Sequence, residues 1–191
     1  MDAPLQCPKC RSLAIREARG VAAVCRKCGY TASKKEFGGQ LPANVAECKV
    51  ADENNVVLSV VGGKGRHCTQ VCPECPWRKS NVGNFPPEAF RISANTCKDM
   101  AQATFACHMA GSKDSKTCAG FLLSVSSRDN LAVRLKCSKG QIGALRTLLP
   151  GTLFTTYRKM AEANGVAPDD PALDGCMPEA RKLRWSNQGH K

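Results

Sequence analysis

The sequence predicts a small α+β fold that is stabilised by metal rather than by a large apolar core. Three observations support this prediction. The 191-residue chain contains 13 cysteines, aromatic side chains make up only 5% of it, and its formal net charge is +12. A chain of this length is sufficient for one ordinary domain or two small ones. Because large apolar side chains are scarce, such a chain needs a further source of stability.

The cysteines are interpreted as metal ligands rather than as disulfides. The first residues, MDAPLQC, contain neither the basic segment nor the apolar segment of an export signal, so we expect a cytoplasmic protein. Disulfides rarely persist in a reducing cytoplasm, and an odd number of cysteines fits a disulfide framework poorly. The longest uncharged apolar run, 119–125, is too short to span a membrane, so no membrane partner is expected.

The first predicted element, residues 1–36, is a zinc ribbon. Two C-x2-C pairs separated by fourteen residues occur here: Cys7, Cys10, Cys25 and Cys28. A tight turn brings both sulfurs of such a pair to one ion, and two pairs complete a tetrahedral shell of four thiolates. Residues 13–24 have the length of a small hairpin that carries the two turns at its ends. The spacing therefore predicts a closed, structural zinc site.

Residues 37–63 are predicted to be a linker that contains one strand. Gly38, Gly39 and Pro42 indicate a loop, and the β-branched run 56–61 ends at two glycines.

Residues 64–176 are predicted to form a mixed α/β, cysteine-rich metal-binding domain with helices towards its C-terminal end, followed by a basic tail at 177–191. Residues 86–92 indicate a short helix with proline in its first turn. Residues 119–126 fit either a buried helix or a strand, and 141–166 indicate one or two helices.

Basic charge is concentrated in the cysteine-rich parts of the chain. Residues 1–40 contain eight basic and three acidic side chains. Four thiolates around a divalent ion carry about −2, so two metal sites offset only part of the +12. The remainder favours an anionic partner, either DNA or RNA or a nucleic-acid-processing protein. The candidate nucleic-acid-binding residues are Arg11, Arg16, Arg19, Arg26, Lys27, Lys34 and Lys35.

The second group of cysteines forms a different pattern. The chain reads HCTQVCPECPWR at 67–78, FACH at 105–108 and CAG at 118–120. This pattern resembles an uncharacterised family of bacterial and phage genomes, whose signature is C-x2-C-P-(W/Y)-R, then F-x-C-H, then C-A-G before apolar residues. The resemblance covers about residues 68–176, does not include the zinc ribbon, and implies no settled activity.

The resemblance implies a second four-coordinate site, whose ligands are Cys72, Cys75, Cys107 and Cys118. The alternative ligands are His108, Cys97, Cys68 and His67. Adjacent side chains usually point apart, so Cys107 and His108 are not expected to share one metal, and a hydrogen-bonding role is expected for His108. Four thiolates suit zinc or an iron–sulfur cluster, and the first site sets a precedent for zinc. Three isolated cysteines are predicted to be small buried side chains: Cys48, Cys137 and Cys176.

No catalytic residue is predicted. A zinc deaminase requires H-x-E, but no glutamate follows His67 or His108 at that spacing. The H-E-x-x-H and P-loop motifs are also missing from the sequence. We therefore expect a phage- or prophage-type metal-binding accessory protein, in the host cytosol if phage-encoded, that contacts nucleic acid or a nucleic-acid enzyme. The alternatives are an iron–sulfur redox or sensor protein, and an interaction module that binds or inhibits a host factor.

Overall fold

The computed structural model describes residues 5–18, 21–61, 65–111 and 114–178. Within these ranges, two small antiparallel sheets precede a set of short helices, so the predicted mixed architecture is confirmed. The strands are β1 (Ile15–Ala18), β2 (Ala22–Cys25), β3 (Thr31–Ser33), β4 (Val45–Val50) and β5 (Val56–Val60). The α-helices are α1 (Pro87–Ser93), α2 (Ala119–Leu123), α3 (Ser126–Asp129), α4 (Leu131–Ser138) and α5 (Tyr157–Ala163). None of the described helices is both long and apolar enough to cross a membrane.

Residues 5–37, here called the N-terminal module, are built on a three-stranded sheet in the order β1-β2-β3. Strand β1 pairs with β2 from Ile15 opposite Cys25, which confirms the hairpin predicted within 13–24. The buried cluster of this module contains only one large side chain, Phe37, alongside small residues and two cysteines. So little apolar surface makes a poor core, which is the condition under which small domains depend on metal or disulfides.

The segment 37–63 contains a two-stranded hairpin rather than a linker with one strand. Strand β5 confirms the predicted strand, and β4 pairs with it antiparallel. The turn between them is closed by Asp52, whose Oδ1 accepts hydrogen bonds from the backbone N–H groups of Asn54 and Asn55 at 2.8 and 2.7 Å. Strand β4 was not predicted, because its buried residues, Val45 and Cys48, are three residues apart and do not show the two-residue alternation of a strand. An irregularity in the pairing between β4 and β5 produces this spacing. The hairpin contacts both β3 and α1.

The described residues between 65 and 178, here called the helical domain, pack around five fully buried side chains: Trp77, Phe121, Tyr157, Met160 and Leu173. Helix α1 confirms the predicted helix and begins at a proline, whose missing N–H costs nothing in a first turn. The apolar run at 119–126 is helical over α2.

Within the predicted helical region 141–166, only α5 is helical. Residues 141–149 have no regular structure, because Gly143 and Pro150 disfavour a helix. Ile142 and Leu148 pack against the core without forming a helix, whereas Leu149 is 79% exposed.

Two of the three isolated cysteines are buried as predicted. Cys48 is 8% exposed and Cys176 is 2% exposed. The prediction was wrong for Cys137, which is exposed near the end of α4. Helix α4 is anchored at its start by Asn130 and Val133, and its last turn extends into solvent.

Asn130 is fully buried and ties three segments together. Its Nδ2 donates to the carbonyl oxygens of Thr96 and Ala103 at 2.8 and 2.7 Å, and its Oδ1 caps α4 by accepting from Val133 N. Because Asn130→Ala removes three hydrogen bonds made by a buried side chain, one of them the cap of α4, we expect it to lower the free energy of unfolding by about 2–4 kcal/mol. Chemical denaturation measures this loss. The exposed Asn95→Ala is the control and is expected to be near neutral.

Candidate metal centres

The two C-x2-C pairs of the N-terminal module meet at one point. The four sulfurs of Cys7, Cys10, Cys25 and Cys28 all lie within 4.8 Å of one another. Two of these separations, Cys7–Cys28 and Cys10–Cys25, are 3.7 and 3.6 Å. A tetrahedral zinc site with Zn–S bonds of about 2.3 Å has sulfurs about 3.8 Å apart. This cysteine quartet is therefore arranged to hold one metal ion, as the spacing predicted.

Both pairs are carried by the same kind of turn. The carbonyl oxygen of Cys7 accepts from Arg11 N at 2.8 Å, and that of Cys25 accepts from Gly29 N at 2.9 Å. In each case the fourth residue after the first cysteine has a positive φ, 56° at Arg11 and 72° at Gly29. Glycine adopts this conformation readily, whereas arginine seldom does. The sequence therefore predicts the turn at Gly29, but it does not predict the matching turn at Arg11.

Backbone N–H groups point at the sulfurs of the quartet. Ser12 N–H donates to Cys10, while the N–H groups of Lys27 and Cys28 donate to Cys25. Although burial acts to raise it, these donors and the Cys10 thiol lower the pKa of Cys25 to about 6. The thiolate is the form that binds metal, so Cys25 is held in its ligating state at neutral pH. Against the Ser12 N–H, burial and the three neighbouring thiols raise the pKa of Cys10 to about 12, so a bound metal displaces its proton.

The second set of cysteines comes from three segments of the helical domain. Backbone pairing brings these segments together, because Cys68 N donates to Thr117 O at 2.9 Å and Cys107 N donates to Lys116 O at 2.8 Å. Cys118 N also donates to Phe105 O at 2.9 Å. The cysteines that converge here are Cys68, Cys72, Cys75, Cys107 and Cys118. All four ligands implied by the sequence resemblance belong to this second cysteine set.

The thiols of the second cysteine set touch one another pairwise. Cys75 and Cys118 have their sulfurs 3.6 Å apart, Cys72 interacts with both Cys107 and Cys75, and Cys68 interacts with Cys107. Hydrogen bonding with the Cys118 thiol, together with burial, holds the pKa of Cys75 well above its usual range. Burial also raises the pKa of Cys68 to about 11. A metal that binds here must therefore displace protons.

The spacing of the second cysteine set differs from that of the quartet. Across the described ranges, the quartet is the group of three or more potential ligands whose donor atoms all lie within 4.8 Å of one another. The second cysteine set forms no such group, although neighbouring pairs are in contact. The thiols therefore lie in a row in which neighbouring sulfurs are in contact, in the order Cys68, Cys107, Cys72, Cys75 and Cys118.

The alternative ligands occupy different positions. His108 is exposed, its ring lies edge-on against Phe85 at 5.4 Å, and its Nε2 is 3.8 Å from Glu74 Oε2. His67 is half-buried, and its buried Nε2 has no hydrogen-bond partner among the described residues. Cys97 is buried beside Cys176, away from the second cysteine set.

Gly120 follows the second cysteine set directly and allows α2 to approach it closely. A Cβ atom at this position would lie 2.8 Å from both Cys75 Sγ and Trp77 Cβ. Both neighbours are fully buried and have no space to move into. The glycine of the C-A-G sequence is thus required by packing against a cysteine and a tryptophan.

Because of this contact, we expect Gly120→Ala to destabilise the helical domain by about 1–3 kcal/mol. Gly143→Ala is the matched control, because a Cβ there meets nothing within 4 Å and no positive φ is involved. Thermal unfolding of both variants measures the difference, and equal melting temperatures would contradict the close packing at Gly120.

Most of the predicted nucleic-acid-binding residues lie on the surface of the N-terminal module. Arg11, Arg16, Arg26, Lys27 and Lys35 are exposed. Lys34 is only half-exposed, and its Nζ forms an ion pair with Glu17 at 2.8 Å. Arg19 lies outside the described residues, as does most of the predicted basic tail (179–191). The sequence analysis omitted Lys9, which is exposed between Cys7 and Cys10.

Comparison with known protein families adds one match. Residues 67–177 match the model of a family described as "Family of unknown function (DUF6283)", and this stretch is more than half of the chain. The chain belongs to this family. The matched region begins at His67, contains the whole second cysteine set and ends one residue after Cys176, so the DUF6283 domain coincides with the helical domain. The cysteine quartet lies outside it.

Neither curated proteins nor solved structures give a significant match to the chain.

Proposed function

We propose that this protein is a metal-binding accessory protein whose N-terminal module is a zinc ribbon that contacts nucleic acid. The metal part of the proposal is supported by the quartet, whose four sulfurs have the separations that one tetrahedral ion requires. A four-thiolate site of this kind is closed and leaves no position for catalysis. Its role is to fold the module and to hold its surface in place.

The observation that carries the nucleic-acid part is the set of cations around the quartet. Four exposed basic residues lie within one residue of a ligand: Lys9, Arg11, Arg26 and Lys27. None of these side chains forms an ion pair with an acidic residue in the described ranges. A zinc ion with four thiolates carries about −2, so four cations exceed the charge that the site itself offsets. The surplus creates a positive surface that suits a phosphate backbone.

These four residues also have a fixed arrangement. Lys9 lies inside the first C-x2-C turn, while Arg26 and Lys27 lie inside the second. The backbone of each turn is held by hydrogen bonds to cysteine carbonyls, and Arg26 N donates to Ala14 O at 2.8 Å. Cations on a rigid turn lose little backbone entropy when they bind phosphate, so this surface is preorganised.

The phage or prophage origin stays a prediction from the sequence resemblance. A nucleic-acid-processing protein with an acidic surface is the other partner that the same cations would fit.

Direct binding is tested with the metal-loaded full chain and fluorescently labelled DNA and RNA in a salt series. The double variant Arg26→Glu/Lys27→Glu is expected to weaken binding about tenfold or more, and to reduce the slope of log K against log salt by about 2. The matched control Arg134→Glu/Lys139→Glu makes the same charge change at two exposed residues, one on α4 and one directly after it. Equal losses in both double variants, or no wild-type binding at low salt, would refute the proposed surface.

A further inference from the structure

We propose that the second cysteine set of the DUF6283 domain binds an iron–sulfur cluster through Cys72, Cys75, Cys107 and Cys118. This inference goes beyond the proposed function and does not depend on it, because it concerns a different set of residues in a different part of the chain. It reverses the preference for zinc at this site that the sequence alone suggested, and the reason is the spacing of the sulfurs.

Two of these sulfurs accept hydrogen bonds from backbone N–H groups, as metal-bound thiolates do. Trp77 N–H donates to Cys75 Sγ and Met109 N–H donates to Cys107 Sγ, in each case from two residues further along the chain. The quartet contains the same arrangement at Cys10 and Ser12 and at Cys25 and Lys27. Buried thiols that serve only as small apolar side chains do not need such donors. N–H groups directed at sulfur stabilise the negative charge of a metal-bound thiolate.

The spacing of these sulfurs differs from the spacing around a single ion. A single tetrahedral ion requires all its sulfurs to lie about 3.8 Å apart, and the quartet approaches this arrangement. In the second cysteine set, Cys75 contacts Cys118 and Cys72 contacts Cys107, a Cys72–Cys75 contact links these two pairs, and the members do not all lie within 4.8 Å of one another. Ligands that are spread in two pairs suit a cluster in which different iron atoms take different cysteines.

The second cysteine set is enclosed on one side by buried residues. Cys75, Cys107 and Cys118 are buried, whereas Cys72 and Cys68 are only half-buried. The enclosing wall includes Trp77 and Phe105, whose ring centroids are 5.9 Å apart. Such a site is shielded from water on one side and accessible at the other. Iron–sulfur clusters need this kind of shielding, because solvent exposure and hydrogen bonds to sulfur set their potentials.

Trp77 supplies an independent observation. Its indole Nε1 is buried and has no hydrogen-bond partner among the described residues. An unpaired buried donor is costly, and native structures seldom contain one without a reason. Trp77 is adjacent to Cys75 through the close packing at Gly120. Sulfur atoms of a bound cluster would place additional acceptors in this part of the core.

The fifth cysteine, Cys68, has a different position. Its thiol interacts with that of Cys107, lies at one end of the row of thiols and is only half-buried. The four other cysteines already provide two complete pairs, so Cys68 is placed outside the ligand set. Two further side chains are also placed outside the ligand set: Cys97, which is buried beside Cys176, and His67, whose Nε2 has no hydrogen-bond partner among the described residues.

The test uses the full-length wild-type chain, expressed with added iron and purified without oxygen. We expect visible thiolate-to-iron absorption, about two or more irons per chain and an equal amount of acid-labile sulfide. Zinc from the quartet is expected in addition, at about one per chain. A colourless protein with about two zinc ions, or with no iron and sulfide, would overturn the inference without the need for any variant.

Variants then assign the ligands. Cys75→Ser and Cys107→Ser are each expected to lose at least about nine-tenths of the iron and sulfide while they keep the zinc of the quartet. Cys97→Ser is the matched control, because Cys97 is equally buried in the same domain, and it is expected to keep the cluster. Cys68→Ser is also expected to keep it. Loss of iron from Cys68→Ser, or retention of iron by Cys107→Ser, would contradict the assignment of the pairs.

Discussion

Replacement of Cys25 by serine is expected to remove the metal of the quartet and to unfold the N-terminal module while the DUF6283 domain stays folded. Cys25 is fully buried, ends β2 and receives two backbone N–H donors, so its loss removes a ligand and disrupts the turn around it. Metal binding to a structural four-ligand site contributes about 10–16 kcal/mol at neutral pH. The buried cluster of this module, with Phe37 as its one large side chain, cannot replace that contribution.

Hydrogen–deuterium exchange resolved by segment measures this effect. In Cys25→Ser, amides of β1, β2 and β3 should exchange at least about a hundredfold faster than in the wild type, whereas those of α1 and α5 should change little. Cys48→Ser is the matched control, because Cys48 is a buried cysteine of the neighbouring hairpin and belongs to neither cysteine group. Unchanged protection of β2 in Cys25→Ser would show that the module does not depend on metal.

Replacement of Trp77 by alanine is expected to cost about 3–5 kcal/mol of the free energy of unfolding, the largest effect of any apolar truncation in this chain. Trp77 is fully buried, and its ring lies about 6 Å from those of Phe105, Phe121 and Tyr157. The cavity cannot collapse readily, because its neighbours come from separate segments of the chain. A loss of this size is a large part of the total stability of a typical domain.

Trp77→Phe separates packing from hydrogen bonding. It keeps an aromatic ring in the core and removes the buried indole N–H, so its expected cost is no more than half that of Trp77→Ala. Chemical denaturation of both variants at equal metal content gives the two free energies. If Trp77→Ala cost less than about 1 kcal/mol, Trp77 could not be the centre of this core. If Trp77→Phe also lowered iron retention, the indole would be assigned a direct role beside the cluster.

The N-terminal module was the most predictable part of the molecule. Two C-x2-C pairs leave few geometrical choices, because each pair must close on one ion and the intervening residues must form a hairpin. The sequence therefore placed Cys7 and Cys28 together across 21 positions. By contrast, β4 was not predicted, because its buried residues, Val45 and Cys48, do not alternate. The exposure of Cys137 was missed for a related reason, since a helix can extend beyond the domain that anchors it.

The kind of metal centre that the second cysteine set suits could not be predicted from the sequence. Motif matching identified the four cysteines, and the structure brings them together with Cys68. Whether they suit one ion or a cluster depends on separations of a few ångströms, which no motif encodes. The tight contact of Gly120 with Cys75 and Trp77 could not be predicted either, because the sequence does not distinguish this glycine from the other fifteen.

We expect two separate metal centres to hold this protein together, one in each cysteine group. Native mass spectrometry of the anaerobically purified full chain tests it most directly, because the bound mass identifies the metals without disrupting the fold. We predict the mass of one zinc ion together with that of an iron–sulfur cluster, with loss of only the zinc mass in Cys25→Ser and of only the cluster mass in Cys75→Ser. A folded chain with the mass of the bare polypeptide would contradict the account.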